Sequence, residues 1–275
     1  MSLPRIALIG CGNMGRSLAG GLIQAGWSAD ALHGIDPEPE QREKLKSQTG
    51  ISVTADGTAA VSRADVVVLA VKPQGMRDTV RELAEALRQY RPLVITVAAG
   101  VRIESIQSWI GAPVPLVRAM PNTPALLGAG ATGLYCTADV TAAQRQLAER
   151  ILGAVGIVQW VEHEALLDVI TALSGSGPAY FFLVMEGLIR AGVELGLSPA
   201  QALTLTVQTA LGAARMAAAG VADPADLRRQ VTSPGGTTEE GVRILEENGL
   251  QEILVRAVQA ARQRSEELAR QFGEG

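Results

Sequence analysis

Groups that carry acid–base chemistry are scarce in this chain of 275 residues. Histidine stands only at His33 and His163, lysine at Lys44, Lys46 and Lys72, and tyrosine at Tyr90, Tyr135 and Tyr180. Cysteine is limited to Cys11 and Cys136 at unrelated places, so neither a disulfide framework nor a metal site is expected, and a reducing cytoplasm fits. Charged residues make up 19%, with a net charge of −4 and no basic block, which argues against nucleic acid or an anionic membrane as a partner. Two stretches, 119–138 and 195–214, lack charge altogether, but Gly, Pro, Thr or Gln interrupts both, and they read as interior rather than as membrane spans. The opening MSLPRIALIG enters an apolar strand almost at once, and no signal peptide is expected.

Apolar residues make up 47%, which describes a folded globular chain, and the length suits two domains better than one core. Short apolar runs at 5–9, 32–35, 52–54, 66–71, 93–97 and 116–118 predict strands. Amphipathic runs between them, at 14–25, 38–47, 57–61, 74–88 and 103–110, predict helices. A further strand, helix and strand are expected at 133–136, 142–152 and 155–161. Runs such as DVVVLAV are apolar on both faces, as buried parallel strands are, and the alternation predicts an α/β fold with a doubly wound, Rossmann-type parallel sheet. After Trp160 the strand-like runs stop, and helices are expected at 164–173, 178–195, 199–219, 223–231, 238–248 and 251–271. The domains are therefore placed at 1–160 and 161–275. The helix over 199–219 has no charge on any side between Leu203 and Ala214, which points to burial against another subunit.

IALIGCGNMG sets Gly10, Gly12 and Gly15 in GxGxxG spacing between a strand and a helix. The first glycine suits a tight turn, the second lets backbone approach a pyrophosphate, and the third allows helix–strand packing. Asp36 follows at the end of the second strand, where an acid binds ribose hydroxyls; the plainer reading is a cap on the next helix. Two more segments end strands, Ala70–Val71–Lys72–Pro73 and Ala98–Ala99–Gly100, and read either as ligand-binding loops or as ordinary turns. RAMPNTP brackets Asn122 and Thr123 with prolines, forming a stiff loop that is either a structural turn or a wall of the nicotinamide pocket.

A dehydrogenase acting on an alcohol needs a proton donor and acceptor beside the hydride path. His33 reads as a packing or surface residue, His163 is flanked by acids, and the helical half has no lysine. A protonated imine removes the need, because hydride adds to C=N⁺ with no proton required in the step. SPGGTTEEG supplies a matching grip. N–H groups of Gly235, Gly236 and Thr237 ahead of a helix starting near Thr238 would hold a carboxylate, with hydroxyls from Ser233 and Thr238; the plainer reading is a capping box. SGSGPAY, ahead of a helix in the same half, is a second wall of the site or a tight helix contact.

GCGNMG, AVKP, RAMPNTP, SGSGPAY and VTSPGGTTEEGVRILEENG, in this order and spacing, resemble pyrroline-5-carboxylate reductases. The resemblance runs nearly end to end. It implies reduction of 1-pyrroline-5-carboxylate to L-proline by NADPH or NADH, the last step of proline biosynthesis. It also implies a helical C-terminal dimerisation domain interlocked in a homodimer, or in a larger assembly of dimers. Carried over to this chain, the substrate site comprises Glu164, Ser233, Gly235, Gly236, Thr237 and Thr238, with Ser233 and Thr238 catalytic and Thr238 on the ring nitrogen. The cofactor site comprises Gly10, Gly12, Asn13, Met14, Gly15, Asp36, Asp56, Ala70, Val71, Lys72, Pro73, Ala98, Ala99 and Asn122. Three positions depart from the family habit: Asp56 stands where Asn is frequent, Asp36 where a small or basic residue is frequent, and Gln230 where Asn is frequent. A reductase of another cyclic imine carboxylate and a non-catalytic dinucleotide-binding protein are the competing readings.

Overall fold

The computed structural model describes residues 3–273. Two compact units divide the chain: Gly177–Gln259 is one, and the chain up to Ser176 together with the stretch from Ala260 onward is the other. The first carries eight strands: β1 (Ile6–Ile9), β2 (Leu32–Ile35), β3 (Ser52–Thr54), β4 (Val66–Leu69), β5 (Leu93–Thr96), β6 (Leu116–Met120), β7 (Gly130–Cys136) and β8 (Gly156–Trp160). They form one sheet in the order β3-β2-β1-β4-β5-β6-β7-β8. Ile6 of β1 pairs with both Leu32 of β2 and Val66 of β4, so the strand order reverses beside β1.

Helices cover both faces: α1 (Asn13–Gln24), α2 (Pro39–Thr49), α3 (Gly57–Val61), α4 (Pro73–Tyr90), α5 (Ile103–Ile110) and α6 (Ala142–Gly153). Val66 and Val68 of β4 enter one core layer with Leu18, Leu22 and Ile151, while Val67 and Leu69 enter the other with Val80, Leu87 and Ile106. That two-sided burial is why β4 is apolar at every position. One pairing departs from the parallel expectation: β7 runs antiparallel to β6. Residues 121–129 between them hold only a short 3-10 turn, Thr123–Leu127, and a parallel return needs a crossover of about a dozen residues or more.

The helix expected at 164–173 is shorter and irregular. α7 covers Leu166–Ile170 and widens into a π-helical turn, Thr171–Gly175, in which the Ser176 N–H donates to the Thr171 carbonyl at 2.8 Å. SGSGP, residues 174–178, therefore spans the end of the widened turn and the start of α8 (Gly177–Glu194). Thr171 and Ser174 turn their hydroxyls onto the carbonyls four residues back, at 2.7 and 3.1 Å, a habit that loosens a helix.

The second unit holds α8, α9 (Pro199–Ala218), α10 (Pro224–Gln230), α11 (Thr237–Glu247) and the first part of α12 (Leu250–Gly273). Only Gly177 and Ala202 are buried among its residues. Leu203, Leu205, Val207 and Leu211 of α9 are 51, 57, 44 and 43% exposed. The run Leu166–Glu194 is long and apolar enough to cross a membrane by length and composition alone. The later part of α12 belongs to the first unit, where the Ser265 hydroxyl donates to Asp168 at 2.7 Å and Phe272 packs on a core layer.

Candidate active site

The three loop glycines meet three different demands. Gly10 has φ +101, and a Cβ there would stand 2.7 Å from the Ala70 carbonyl oxygen. A Cβ on Gly15 would fall 2.0 Å from the Gly10 carbonyl oxygen, so α1 packs on the loop only without one. Around Gly12 a Cβ would meet nothing within 4 Å. Protein packing therefore requires Gly10 and Gly15, whereas no protein atom packs beside Gly12, the openness that a pyrophosphate needs there. Gly10 also abuts the Ala70–Pro73 loop at the carboxyl end of β4, which places this space at the reversal of strand order.

Asp36 fastens the loop. Its Oδ2 accepts the Cys11 N–H at 2.8 Å, and its Oδ1 accepts the Glu38 N–H at 2.9 Å. Arg42 Nη1 donates to the carbonyls of Asp36 and Pro37 at 2.6 and 2.8 Å. Arg16 Nη1 donates to the Cys11 carbonyl at 3.0 Å and Nη2 to Asn13 Oδ1 at 2.6 Å. The Cys11 thiol is pushed up to about 12, by burial first and then by the Asp36 carboxylate. It stays protonated at neutral pH and is no nucleophile. The His33 imidazole is lowered by burial, which disfavours its charged form. Asp56 Oδ1 caps α3, accepting from the N–H groups of Thr58 and Ala59.

The N-termini of α1 to α7 and α9 to α11 differ in how their first-turn donors are met. Side chains of Asp56, Thr141, Ser198 and Asp223 cap α3, α6, α9 and α10. α2 and α4 begin with proline, which removes a donor. α7 turns its first N–H groups onto the carbonyls of residues 163–165. α5 has no cap of its own, but Glu164 Oε1 accepts the Ile103 N–H at 2.9 Å. α1 and α11, whose N-caps are Gly12 and Gly236, have neither a capping side chain nor a proline in the first turn. Each presents backbone donors and the positive end of a helix dipole to an anion.

At α11 the register differs from the sequence expectation. The helix starts at Thr237, the Gly235 N–H donates to Glu239 Oε2 at 2.7 Å, and the Gly236 N–H donates to the Ser233 carbonyl at 3.0 Å. The open first-turn donors are those of Thr237, Thr238 and Glu239. The glycine pair answers to the turn itself, since Gly235 has φ +71 and a Cβ on Gly236 would stand 2.9 Å from the Ser233 carbonyl oxygen. Neither Thr237 nor Thr238 is the cap, so no capping box forms and both hydroxyls are left for other partners. Arg228 of α10 pairs with Glu246 of α11 and closes the loop between these helices.

Glu164 and Asn122 are engaged within the first unit. Arg118, 2% exposed, donates from Nη1 to Glu164 Oε1 at 2.9 Å. Asn122 Oδ1 accepts the Ala131 N–H at 2.9 Å, and Nδ2 donates to the Ser174 carbonyl at 3.0 Å, tying RAMPNTP to β7 and to the π-helical turn. Sequence reasoning overlooked Arg118, although a lone charge in the apolar strand LVRAM is a signal that a buried partner must exist.

A curated pyrroline-5-carboxylate reductase of Pseudomonas aeruginosa is 51% identical over 274 residues, covering 100% of both chains. The chain belongs to the pyrroline-5-carboxylate reductase family. The pyrroline-5-carboxylate reductase dimerisation profile matches residues 164–268, and a profile described as NADP oxidoreductase, coenzyme F420-dependent, matches residues 5–100. A solved pyrroline-5-carboxylate reductase of Coxiella burnetii is 43% identical with a TM-score of 0.94, covering 97% of this chain and 99% of that one. The pyrroline carboxylate reductase of Plasmodium falciparum, solved with NADP bound, is 29% identical with a TM-score of 0.85, covering 98% and 99%.

Proposed function

We propose that this protein reduces 1-pyrroline-5-carboxylate to L-proline with NADPH or NADH, the closing step of proline biosynthesis. The observation that carries the proposal is that the N-termini of α1 and α11 have neither a capping side chain nor a proline in the first turn: α1 suits a pyrophosphate and α11 suits a carboxylate. Family membership supplies the reaction. The residues around Gly12 fit the cofactor, which when bound supplies a hydride from its nicotinamide.

The chain's own residues bind and orient. The N–H groups of Thr237, Thr238 and Glu239 hold the substrate carboxylate with help from the Ser233 hydroxyl, and the Thr238 hydroxyl meets the ring nitrogen. The imine nitrogen already carries its proton, so the C=N⁺ π pair becomes the nitrogen lone pair as the carbon accepts hydride. Amine and oxidised cofactor result, and no side chain has to move a proton. This fits a chain whose histidines are a half-buried one in β2 with its charged form disfavoured by burial and one between two acids.

Residues 1–160 are assigned the cofactor and 161–275 the substrate and self-association. The exposed apolar helices of the second unit support a homodimer, with assemblies of dimers as an extension, working in the cytoplasm. Supplying 1-pyrroline-5-carboxylate or its six-membered homologue and following NADPH and NADH oxidation tests the reading. Turnover is expected with the five-membered ring; preference for the larger ring, or binding without turnover, overturns it.

A further inference from the structure

Three of the four residues 100–103, a few positions beyond β5, are held by groups outside β5 and α5. Gly100, at φ +74, leaves room for Phe272, whose Cδ2 would lie 3.1 Å from a Cβ there, and Leu268 Cβ would lie 3.7 Å away. Arg102 Nη2 is 3.5 Å from Asp168 Oδ2, and Asp168, 1% exposed, also accepts the Ser265 hydroxyl at 2.7 Å. The Ile103 N–H is taken by Glu164, which is itself paired with the buried Arg118. The Gly100–Ile103 loop is thus gripped by the later turns of α12, by α7 and by Glu164, two residues before α7. Directly ahead of it lie Ala98 and Ala99, at the carboxyl end of β5.

In a doubly wound sheet the ligand crosses the carboxyl ends at the reversal of strand order, here between β1 and β4. Asp36 marks the β2 side as the adenosine half, which leaves the β5 side for the nicotinamide half. We propose that Phe272, Ser265 and Asp168 are positioning residues: the end of α12 sets the Ala98–Gly100 loop against the nicotinamide half of the cofactor without touching it. This rests on the reading that the loop binds NAD(P)H. The physical ground is that backbone held in register by packing and by a buried carboxylate is pre-organised for its ligand, whereas a loosened loop must be ordered on binding.

The full-length chain is compared with Phe272→Ala, Phe272→Leu and Ser265→Ala. Dissociation constants for NADPH come from fluorescence titration, and KM values for NADPH and for the imine acid from steady-state rates. Phe272→Ala is expected to raise the NADPH constant and KM about tenfold, inside the roughly hundredfold that a misplaced loop can cost, with the imine KM little changed. Phe272→Leu restores most of the loss, and Ser265→Ala moves the same constants in the same direction by less. Should Phe272→Ala fail to fold, Ser265→Ala decides alone. Unchanged NADPH constants, or equal rises for both substrates, overturn the inference. If the wild type binds NADPH in a Phe272-dependent way but turns over no imine, the positioning role stands and the proposed activity falls.

Discussion

At the residue scale, Asp36 serves two masters. Both carboxylate oxygens already hold backbone N–H groups, one in the glycine loop and one in the turn to α2, while Arg42 stands on the neighbouring carbonyls. A carboxylate oxygen has further acceptor capacity for a ribose hydroxyl, but a 2′-phosphate would meet its charge, offset by Arg42. Removing the carboxylate by Asp36→Ser is expected to raise the NADPH-to-NADH ratio of kcat/KM by about tenfold, roughly 1.4 kcal/mol. Both absolute values should fall, because the Cys11 N–H loses its acceptor. Arg42→Ala should lower the NADPH value selectively. An unchanged ratio in Asp36→Ser means that the side chain only clasps the loop. The sequence position of Asp36 was readable from its distance to the glycines. Its bonds to Cys11 and Glu38 were not, because they depend on where two loops meet in space. Arg118 and Glu164, forty-six positions apart, were hidden for the same reason.

At the scale of elements, the strands and helices of the first half were legible because each carries its own period, and β2, β3, α3 and α5 match to the residue. The direction of β7 was not: it follows from a connection too short to cross over, a constraint on the chain path rather than on the strand's residues. The π-helical turn escaped as well, since Gly and Pro in SGSGP carry the same signal as a helix start. α11 begins at Thr237, one residue earlier than expected, and Glu239 reaches back to take the Gly235 N–H, a contact that depends on how the turn folds. Thr238→Ala is expected to lower kcat more than it weakens NADPH binding. The loss should stay below the roughly 2.7–4 kcal/mol that removal of an oxyanion-hole donor costs, since the threonine is neutral and its space admits water. Equal losses in turnover and in cofactor affinity would show a structural role for the hydroxyl instead.

For the whole molecule, the decisive feature is a helical unit with almost nothing inside it. Leu203, Val207 and Leu211 share one face of α9, while Leu205 points nearly opposite, so no single flat contact covers all four. A partner must flank the helix on two sides, and burial of each side chain is worth roughly 1.5–3 kcal/mol. Sedimentation over a dilution series is expected to show a dimer throughout the active range; an active monomer would sink the idea. The uncharged run was visible in the sequence, but only the structure shows that the chain by itself leaves it uncovered.

The placement of the tryptophans gives that asymmetry an optical signature. Trp27, Trp109 and Trp160 all belong to the first unit, and Gly177–Gln259 contains none. Indole emission therefore watches the sheet alone, where the guanidinium groups of Arg150 and Arg145 sit over two of the rings, while circular dichroism sums over both units. On refolding, the emission should settle at a rate independent of protein concentration. The remaining helical signal should grow with the frequency at which two chains collide, because the second half has no interior until a partner supplies one.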